Sequence, residues 1–352
     1  MVTINDVARK SGFSKTAVSF VLNNSSLAKG IPDETKERIR RVARELGYQP
    51  NQLARYLRQK RSNTVGVVVY DISDPYCAQI LRGVEEALFR HERYLPIVTD
   101  VQNDRVRFQR YVRKLLERQV EGLIVLGNSV HPEQELLGTL RDCRIPTVIM
   151  GRQMQSDVVS SITVDNESGA RIALEYLHGL GHRRIAFIRG PKAMIDSGQR
   201  WTGVETFARK VGMAIDRNLV LDSHLPETGQ EVGHELTLRL IRNGNAFTAM
   251  HAYDDVTAFG AIRALSENGI DVPGKCSVIG FDDIAMSAYF NPPLTTIQQD
   301  LELQGSTGAK VLLAALSDPD GTRPLATKCL RLKPRLVIRA STAPPPDSGK
   351  HG

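Results

Sequence analysis

The sequence predicts a small all-α headpiece followed by an α/β core with two lobes built on parallel sheets. The first observation is charge: residues 1–61 carry 13 lysines and arginines against 5 aspartates and glutamates, whereas residues 62–352 carry 33 against 34. The second is a series of apolar runs that alternates with amphipathic stretches from Asn63 onward and starts again at Ser161. Apolar strands separated by helices are typical of parallel sheets covered on both faces.

The charge excess indicates the class of partner. The whole chain has a formal net charge of +7, and all of that excess lies in residues 1–61. A compact basic module on a near-neutral body is typical of proteins that bind nucleic acids, because lysine and arginine displace counterions from phosphates. Nucleic acid is therefore the first partner that the sequence predicts.

Other classes of protein find little support. The start, MVTINDVARK, has charges where a signal peptide needs an apolar run, and no stretch reaches the ~18 apolar residues of a membrane span. The four cysteines and eight histidines form no metal-binding spacing, and neither a GxSxG nor a GxxxxGK motif occurs. We expect a cytoplasmic protein with reduced cysteines and no cofactor or metal, which does not touch the membrane and is not an enzyme.

The basic module contains a predicted helix-turn-helix. Thr3 is a suitable N-cap for a first helix, with Asp6 as the acid of a capping box. Gly12 ends this helix, and Ser14 caps a second helix that ends near Asn23. Two short helices across a tight turn that contains glycine form the motif that reads DNA in the major groove.

The same residues resemble a known family. TINDVARKSGFSKTAVSFVLN, followed by IPDETKERIRRVARELGYQPNQLARYLR, is similar to the headpiece and hinge of the lactose-repressor/galactose-repressor family of bacterial transcription regulators. The resemblance implies that residues 14–23 form the recognition helix, whose N-terminal end faces base edges. The DNA-binding residues expected on this basis are Thr3, Ser14, Lys15, Thr16, Ser19, Asn23, Asn51, Ala54 and Leu57.

Two interpretations of Lys15 and Thr16 remain open at this point. The pair could read base edges, or Lys15 could be a solvated cation and Thr16 a phosphate contact that positions without specifying. The chain also departs from the family, since Phe20 stands where many members place an arginine and Ala17 where threonine is common. Because phenylalanine cannot make a bidentate contact to guanine, the operator sequence cannot be copied from other members.

The segment after the headpiece is a candidate hinge helix. Pro50 and Asn51 can start a helix, and Leu53, Ala54 and Leu57 have helical spacing. One or two turns are too short to be stable alone, so this helix needs a packing partner. The resemblance implies that hinge helices of two subunits fold in the minor groove and wedge a leucine, here Leu57, between base pairs. The alternative is a leucine that packs on the protein.

The core carries the resemblance as well. LGHRRIAFIRGP, VIGFDD and NPPLTTIQQD are similar to the family's core, a type I periplasmic-binding-protein fold whose chain crosses between lobes three times. We place the crossings near Ser161, Pro292 and Asp320. The predicted domains are a headpiece (1–47), a hinge helix or linker (48–62), an effector-binding core (63–342) and a disordered tail (343–352). The first lobe comprises 63–161 and 292–320, and the second 162–291 and 321–342.

Residues at the carboxyl ends of the predicted strands are the candidate ligand contacts, because ligands of such sheets bind there and, in a two-lobed protein, between the lobes. The candidates are Asp74, Tyr76, Cys77, Arg152, Arg200, Trp201, Tyr253, Asp254 and Asp282. The resemblance implies that Arg200 and Asp282 fix polar groups of the ligand, and Trp201 could stack on a sugar face. The alternative for Asp254 is a helix cap, and for Arg152 an ion pair between lobes.

Gly151 departs from the acid that is often found there in relatives, so the identity of a sugar is open. Arg152 beside Arg200 leaves room for an acidic or phosphorylated effector. Taken together, the residues predict a homodimeric transcription regulator, expected to be a repressor, that binds a pseudo-palindromic operator and is controlled by a sugar or sugar derivative. A sugar-binding transport receptor is the alternative from another class, but it would need a signal peptide and no basic headpiece.

Overall fold

Two compact units make up the chain, residues 1–62 and residues 63–352. The computed structural model describes residues 2–23, 25–48, 61–127, 138–140, 142–154, 156, 159–223, 229–317 and 327–346. The boundary between the units falls where the sequence predicts the start of the core.

The described part of the first unit is helical, as predicted. It contains α1 (Ile4–Ser11), α2 (Lys15–Leu22), a 3₁₀-helix (Ser26–Gly30) and α3 (Asp33–Glu45). The apolar faces of the three α-helices meet in a small core formed by Val7, Val18, Val21, Ile39, Val42 and Ala43. Gly12 ends α1 at a φ of +79°, a conformation that glycine adopts without a steric penalty. This turn lets α2 begin only four residues after α1 ends.

The second unit alternates strands and helices. Its strands are β1 (Thr64–Val69), β2 (Leu95–Asp100), β3 (Gly122–Leu126), β4 (Thr147–Met150), β5 (Val159–Val164), β6 (Ile185–Arg189), β7 (Val220–Asp222), β8 (Ala249–His251), β9 (Ser277–Asp282), β10 (Thr295–Gln298), β11 (Cys329–Leu332) and β12 (Arg335–Val337). Its helices are α4 (Pro75–His91), α5 (Arg105–Glu117), α6 (Asn166–Gly179), α7 (Ile195–Lys210), α8 (Gln230–Arg242), α9 (Asp255–Glu267) and α10 (Leu301–Leu316).

The strands form two sheets with the same internal order. The first sheet runs β11-β5-β4-β3-β1-β2, and the second runs β12-β10-β9-β8-β6-β7. All pairs are parallel except β12, which pairs antiparallel to β10. The predicted two-lobed α/β core with parallel sheets is therefore confirmed, and each sheet is the centre of one lobe.

The chain crosses between the lobes at later positions than predicted. Ser161 lies inside β5 of the first sheet, so the first crossing follows Val164. Because β10 pairs with β9, the second crossing follows Gln298 rather than Pro292. The third crossing lies between β11 and β12, since β11 belongs to the first sheet and β12 to the second; it does not lie near Asp320, which is outside the described residues. The lobe boundaries at 161, 292 and 320 are therefore wrong by between three and about a dozen residues.

Ala343, where the sequence predicts the start of a disordered tail, is instead held by hydrogen bonds. The Ala343 N–H donates to Ser277 Oγ at 3.0 Å, and the Ala343 carbonyl lies 2.9 Å from Nε2 of the buried His182. His182 Nδ1 contacts Thr248 Oγ1 at 2.9 Å, so the histidine ties this end of the chain to two neighbouring strands. These bonds give the buried His182 a structural role.

Helix α7, which carries several of the candidate ligand residues, is held close to α6. A Cβ atom at Gly203 of α7 would lie 2.2 Å from the Glu167 carbonyl oxygen of α6, so only glycine permits this approach. Among the described residues, no helix is long and apolar enough to cross a membrane.

Candidate functional site

The predicted recognition helix, α2, presents its first turn to solvent. The Ser14 side chain accepts a hydrogen bond from the Ala17 N–H at 3.2 Å and so caps the helix. Lys15 and Thr16 follow at once and are exposed, while Val18 and Val21 are buried in the headpiece core. The periodicity of α2 therefore separates a packing face from a face that is free to contact a partner.

Several of the other predicted DNA contacts already form side-chain hydrogen bonds within the headpiece. Thr3 and Asp6 form the expected capping box, with Thr3 Oγ1 donating to Asp6 at 2.7 Å. Asn23 donates to the Ser19 carbonyl oxygen at 2.8 Å and lies 3.2 Å from Ser19 Oγ. Asn51, Ala54 and Leu57, which carry the hinge prediction, lie outside the described residues.

The headpiece cations fall into two groups. Four of them lie in ion pairs with headpiece acids: Arg9 with Asp6, Lys10 with Glu45, Lys36 with Asp33, and Arg41 with Glu45. Among the described residues of the headpiece, 2–23 and 25–48, Lys15 forms no ion pair. Its ammonium group is the headpiece cation at the start of the recognition helix, where major-groove readers place their base contacts.

In the second unit, a cavity that is open to solvent lies between the lobes, and its empty space, including this open solvent, is about 500 Å³. Its walls come from the ends of strands and starts of helices in both sheets: Tyr70, Asp74, Tyr76 and Asn103 from the first lobe, and Met194, Asp196, Arg200, Tyr253, Asp254 and Asp282 from the second. The structure thus brings together six of the nine predicted ligand contacts, because parallel strands end at the same edge of a sheet.

Arg200 is the central residue of the part of the cavity wall that the second lobe provides. Its Nη1 donates to the Tyr253 carbonyl oxygen at 2.6 Å, and its Nε donates to Asn166 Oδ1 at 3.1 Å. Its Nη2 lies 3.5 Å from Asp196 Oδ2 and 3.6 Å from Asp282 Oδ1. Arg200 lies in the second turn of α7, which begins at Ile195. Arg200 and Asp282 form an ion pair with each other, and both belong to the second lobe.

A smaller chamber of about 200 Å³ adjoins the main cavity and shares Tyr76, Asp196 and Arg200 with it. Gly151 also lines this chamber, together with Gln304, whose Oε1 is buried and has no hydrogen-bond partner. Gln304 Nε2 donates to the Gln299 carbonyl oxygen at 3.0 Å, which leaves Oε1 as an unused acceptor.

The carboxylates of the cavity are held in an unfavourable setting. Burial raises the pKa of Asp282 well above its ordinary value; Arg200 opposes this shift, while Asp254 and Asp255 add to it. Burial likewise raises the pKa of Asp74 and of Asp254. Asp282 also has a φ of +117°, which L-residues rarely adopt and which costs about 1–3 kcal/mol. Strain and desolvation of this kind are typical of functional sites.

Two acids beside the cavity, Asp255 and Asp283, have structural roles. Asp255 accepts hydrogen bonds from Ser287 Oγ at 2.6 Å and the Ile284 N–H at 3.0 Å. Asp283 pairs with Arg339 at 2.6 Å. Asp254 combines both readings, because it caps α9 through the Thr257 N–H and also lines the cavity.

Three predicted ligand contacts do not line the described cavity. Cys77 is buried in the core cluster of the first lobe, and burial raises the pKa of its thiol to about 12. The Trp201 ring packs edge-on against Phe187, and the Arg189 guanidinium covers it at 4.4 Å from the ring centre. Arg152 lies on neither chamber's wall. These three side chains leave the backbone in directions that do not lead to the cavity wall, whereas those of their neighbours do. Residue spacing alone does not fix that direction.

Four lining residues were missed by the sequence reading: Tyr70, Asn103, Met194 and Asp196. Tyr70 and Asn103 follow the ends of β1 and β2, so the rule that selected Asp74 would have found them. Asp196 lies four residues before Arg200, a spacing that places both on one face of a helix. Among the described residues, no three histidine, cysteine, aspartate or glutamate side chains are placed to hold a metal ion.

Comparison with known proteins matches both units. Residues 3–51 match the model of bacterial regulatory proteins of the lacI family, and residues 174–342 match a periplasmic binding protein-like domain. The HTH-type transcriptional regulator GalR of Escherichia coli (strain K12) is 32% identical over 352 residues, which cover 100% of this chain and 98% of GalR.

Solved structures agree with this result. A Lac repressor dimer bound to operator and the anti-inducer ONPF has a TM-score of 0.84 and 28% identity, covering 97% of this chain and 99% of that one. A complex of the transcriptional regulator CelR with cellobiose has a TM-score of 0.69 and 28% identity, covering 97% and 100%. The chain belongs to the lacI family of bacterial regulatory proteins, which are DNA-binding transcriptional regulators and not enzymes.

Proposed function

We propose that the protein is a repressor whose affinity for a pseudo-palindromic operator is set by a small molecule bound between the lobes of the core. The observation that carries this proposal is the cavity whose walls come from both lobes. A ligand that touches both lobes favours the arrangement in which it makes the better contacts, so it shifts the equilibrium between arrangements. Ligand and operator then change each other's affinity by the same factor.

The lining favours a ligand rich in hydroxyl groups. Carboxylates accept hydrogen bonds, while Tyr70, Tyr76 and Tyr253 supply ring faces on which a sugar can stack. The CelR structure, which this chain resembles over nearly its whole length, holds the sugar cellobiose. A sugar or sugar derivative therefore fits the chemistry of the cavity lining.

Operator recognition is assigned to the exposed turn at the start of α2. Lys15 and Thr16 are free to contact base edges, whereas Arg41 lies in the ion pair with Glu45 and is 67% exposed. We assign Lys15 and Thr16 to sequence reading and Arg41 to the phosphate backbone. Leu57 retains its proposed role as a minor-groove wedge on the strength of the sequence.

Homodimer formation follows from reading two half-sites and has a candidate surface on the core. Strand β2 is an edge strand of the first sheet, and it exposes Leu95 and Val98 beside the exposed Phe89 of α4. Tyr289, which is 85% exposed, and Met286 form a second apolar surface on the other lobe. We assign these surfaces to a second copy of the chain, and we place the protein in the bacterial cytoplasm, on the nucleoid when the operator is bound.

The test is operator release by ligand in matched variants of α4. Tyr76→Ala removes a ring that lines both chambers, whereas Arg90→Ala removes an exposed cation from the same helix. With fluorescence anisotropy of a labelled operator, we expect Tyr76→Ala to need about tenfold more ligand for half-release, since a stacked ring contributes ~1.5 kcal/mol. Arg90→Ala should match the wild type. An effector that acts equally on all three proteins would show that this cavity is not the sensor.

A further inference from the structure

The walls of the main cavity carry an excess of negative charge. Asp74, Asp196, Asp254 and Asp282 contribute four carboxylates, and Arg200 is the cation among the described residues that line the cavity. Of these four carboxylates, Asp196 and Asp282 lie within 4 Å of the Arg200 guanidinium.

Arg200 has little left to offer an anionic ligand. Its Nε and Nη1 donate to Asn166 and Tyr253, and Nη2 faces two carboxylates of its own lobe. Its guanidinium also stacks on the Phe281 ring, with 3.7 Å from Cζ to the ring centre. A phosphate or a sugar acid would have to displace these bonds and would then face the remaining carboxylates at short range in a partly dehydrated site.

The aromatic residues of the cavity agree with the carboxylates. Tyr70, Tyr76 and Tyr253 all line it, and the negative face of an aromatic ring attracts a cation. The Tyr253 ring already lies 4.7 Å from Cζ of Arg200, which shows that this wall accepts a cation in contact with the ring. Carboxylates combined with aromatic rings are typical of sites that bind ammonium groups.

We propose that the ligand of this cavity carries a protonated amine on a polyhydroxylated skeleton, such as an amino sugar or an amino alcohol, and is neither acidic nor phosphorylated. This inference rests on the proposed function and specifies the ligand for it. It replaces the acidic effector that Arg152 beside Arg200 suggested, because Arg152 does not line the cavity.

The positions of the acids also connect ligand charge to regulation. Asp74 belongs to the first lobe and Asp254 to the second, and the charge of Asp254 is among the causes that raise the pKa of Asp74. The two carboxylates therefore repel each other across the gap between the lobes. An ammonium group held between them replaces this repulsion with attraction, so the ligand stabilises the arrangement in which the lobes are closest.

The experiment uses the full chain and sets of three compounds that share a carbon skeleton and differ in charge. The first set is glucosamine, glucose and gluconate, and the second is serinol, glycerol and glycerate. Binding is measured as the rise in melting temperature and then by titration calorimetry of each compound that raises it. In every set with a member that binds, we expect the amine to bind best. Asp74→Asn or Asp254→Asn should each weaken the affinity for the amine at least tenfold, because each substitution removes a charge-assisted hydrogen bond.

Glu205→Gln is the control, because Glu205 is exposed on the same helix as Asp196 and Arg200. It removes one negative charge without touching the cavity and should leave amine binding unchanged. The inference is overturned if no amine binds, if the alcohol or the acid is the strongest member of a set, or if amine binding survives both aspartate substitutions. If an amine binds as expected but does not change operator affinity, the charge inference stands and the proposed sensor role fails. If instead a neutral sugar releases the operator, the proposed sensor role stands and the charge inference fails.

Discussion

The headpiece and the ligand cavity are both strongly charged, but with opposite sign and in different surroundings. The cations of the headpiece, such as Lys15 and Arg41, lie at the surface in water, where salt screens them. The carboxylates of the cavity, such as Asp254 and Asp282, are buried, and burial raises their pKa values. Exposed charge serves to attract a polyanion, whereas buried charge is costly and becomes favourable only with a partner.

The difference also decides which residues hold their own unit together. The surface ion pairs of the headpiece contribute little to stability, since exposed pairs are worth about 0–1 kcal/mol. The Arg200 cluster joins α7, β9 and the end of β8 in the second lobe, and its members cannot be removed singly without stranding a buried charge. Four measurements can break or sharpen this comparison.

The largest expected effect is that of salt on operator binding. If residues 1–61 supply the affinity, the logarithm of the binding constant falls with the logarithm of salt concentration by about 0.9 per phosphate neutralised. Six contacts would then cost a factor of about 10³ between 50 and 200 mM salt. Anisotropy titrations with a labelled operator give this slope. An affinity that does not change with salt would contradict the assignment of the headpiece.

The next effect compares two arginines in the two regions. Arg200→Ala removes the cation of a buried cluster and should lower the free energy of unfolding of the core by about 3–5 kcal/mol. Arg41→Ala removes an exposed partner of Glu45 and should cost less than about 1 kcal/mol. Urea unfolding of both variants measures the difference. Equal losses of unfolding free energy would mean that burial does not determine how much these charged residues contribute to stability.

A third effect concerns pH. Burial raises the pKa of Asp255 from 3.8 to about 7, so the folded protein keeps this proton to a higher pH than the unfolded chain. The stability that the group contributes is therefore fully present below pH 3.8 and is lost as the pH rises through 7. Asp255→Asn cannot ionise and should flatten this decline by up to a few kcal/mol. Urea unfolding at pH 5 and pH 8 measures it, with the exposed Asp271→Asn as control. A variant as sensitive to pH as the wild type would refute the shift.

The smallest effects separate the cap of the recognition helix from its reading residues. Ser14→Ala removes the bond to the Ala17 N–H and should destabilise the headpiece by about 1 kcal/mol. Lys15→Ala should leave stability unchanged but reduce the preference for the operator over a mutated site, while Arg41→Ala weakens both sites alike. Thermal unfolding and competition binding measure the two properties. Unchanged specificity in Lys15→Ala would make this lysine a phosphate contact.

Local signals in the sequence were enough for much of the architecture. Thr3, Gly12 and Ser14 marked the ends of the headpiece helices, and the structure has the capping box, the left-handed glycine and the cap at those residues. Alternation of apolar runs with helices indicated parallel sheets, and the ends of those strands indicated where the cavity lies. These features depend on residues within a few positions of one another, so the sequence carries them directly.

Other features required the tertiary structure. The crossings between lobes depend on which strand pairs with which, and Gln298 and Leu332 mark them only because β10 and β11 joined different sheets. Trp201 is next to Arg200 in sequence, yet it turns away from the cavity to pack on Phe187. The charge of the cavity was hidden as well, since Asp74, Asp196, Asp254 and Asp282 lie far apart along the chain and meet only when both sheets are assembled. The sequence by itself determined the helices, the strands and the sign of the headpiece charge, because these follow from neighbouring residues. The tertiary structure alone decided the lobe boundaries and which charged residues meet in the cavity, because both arise from contacts between residues that are distant in the chain.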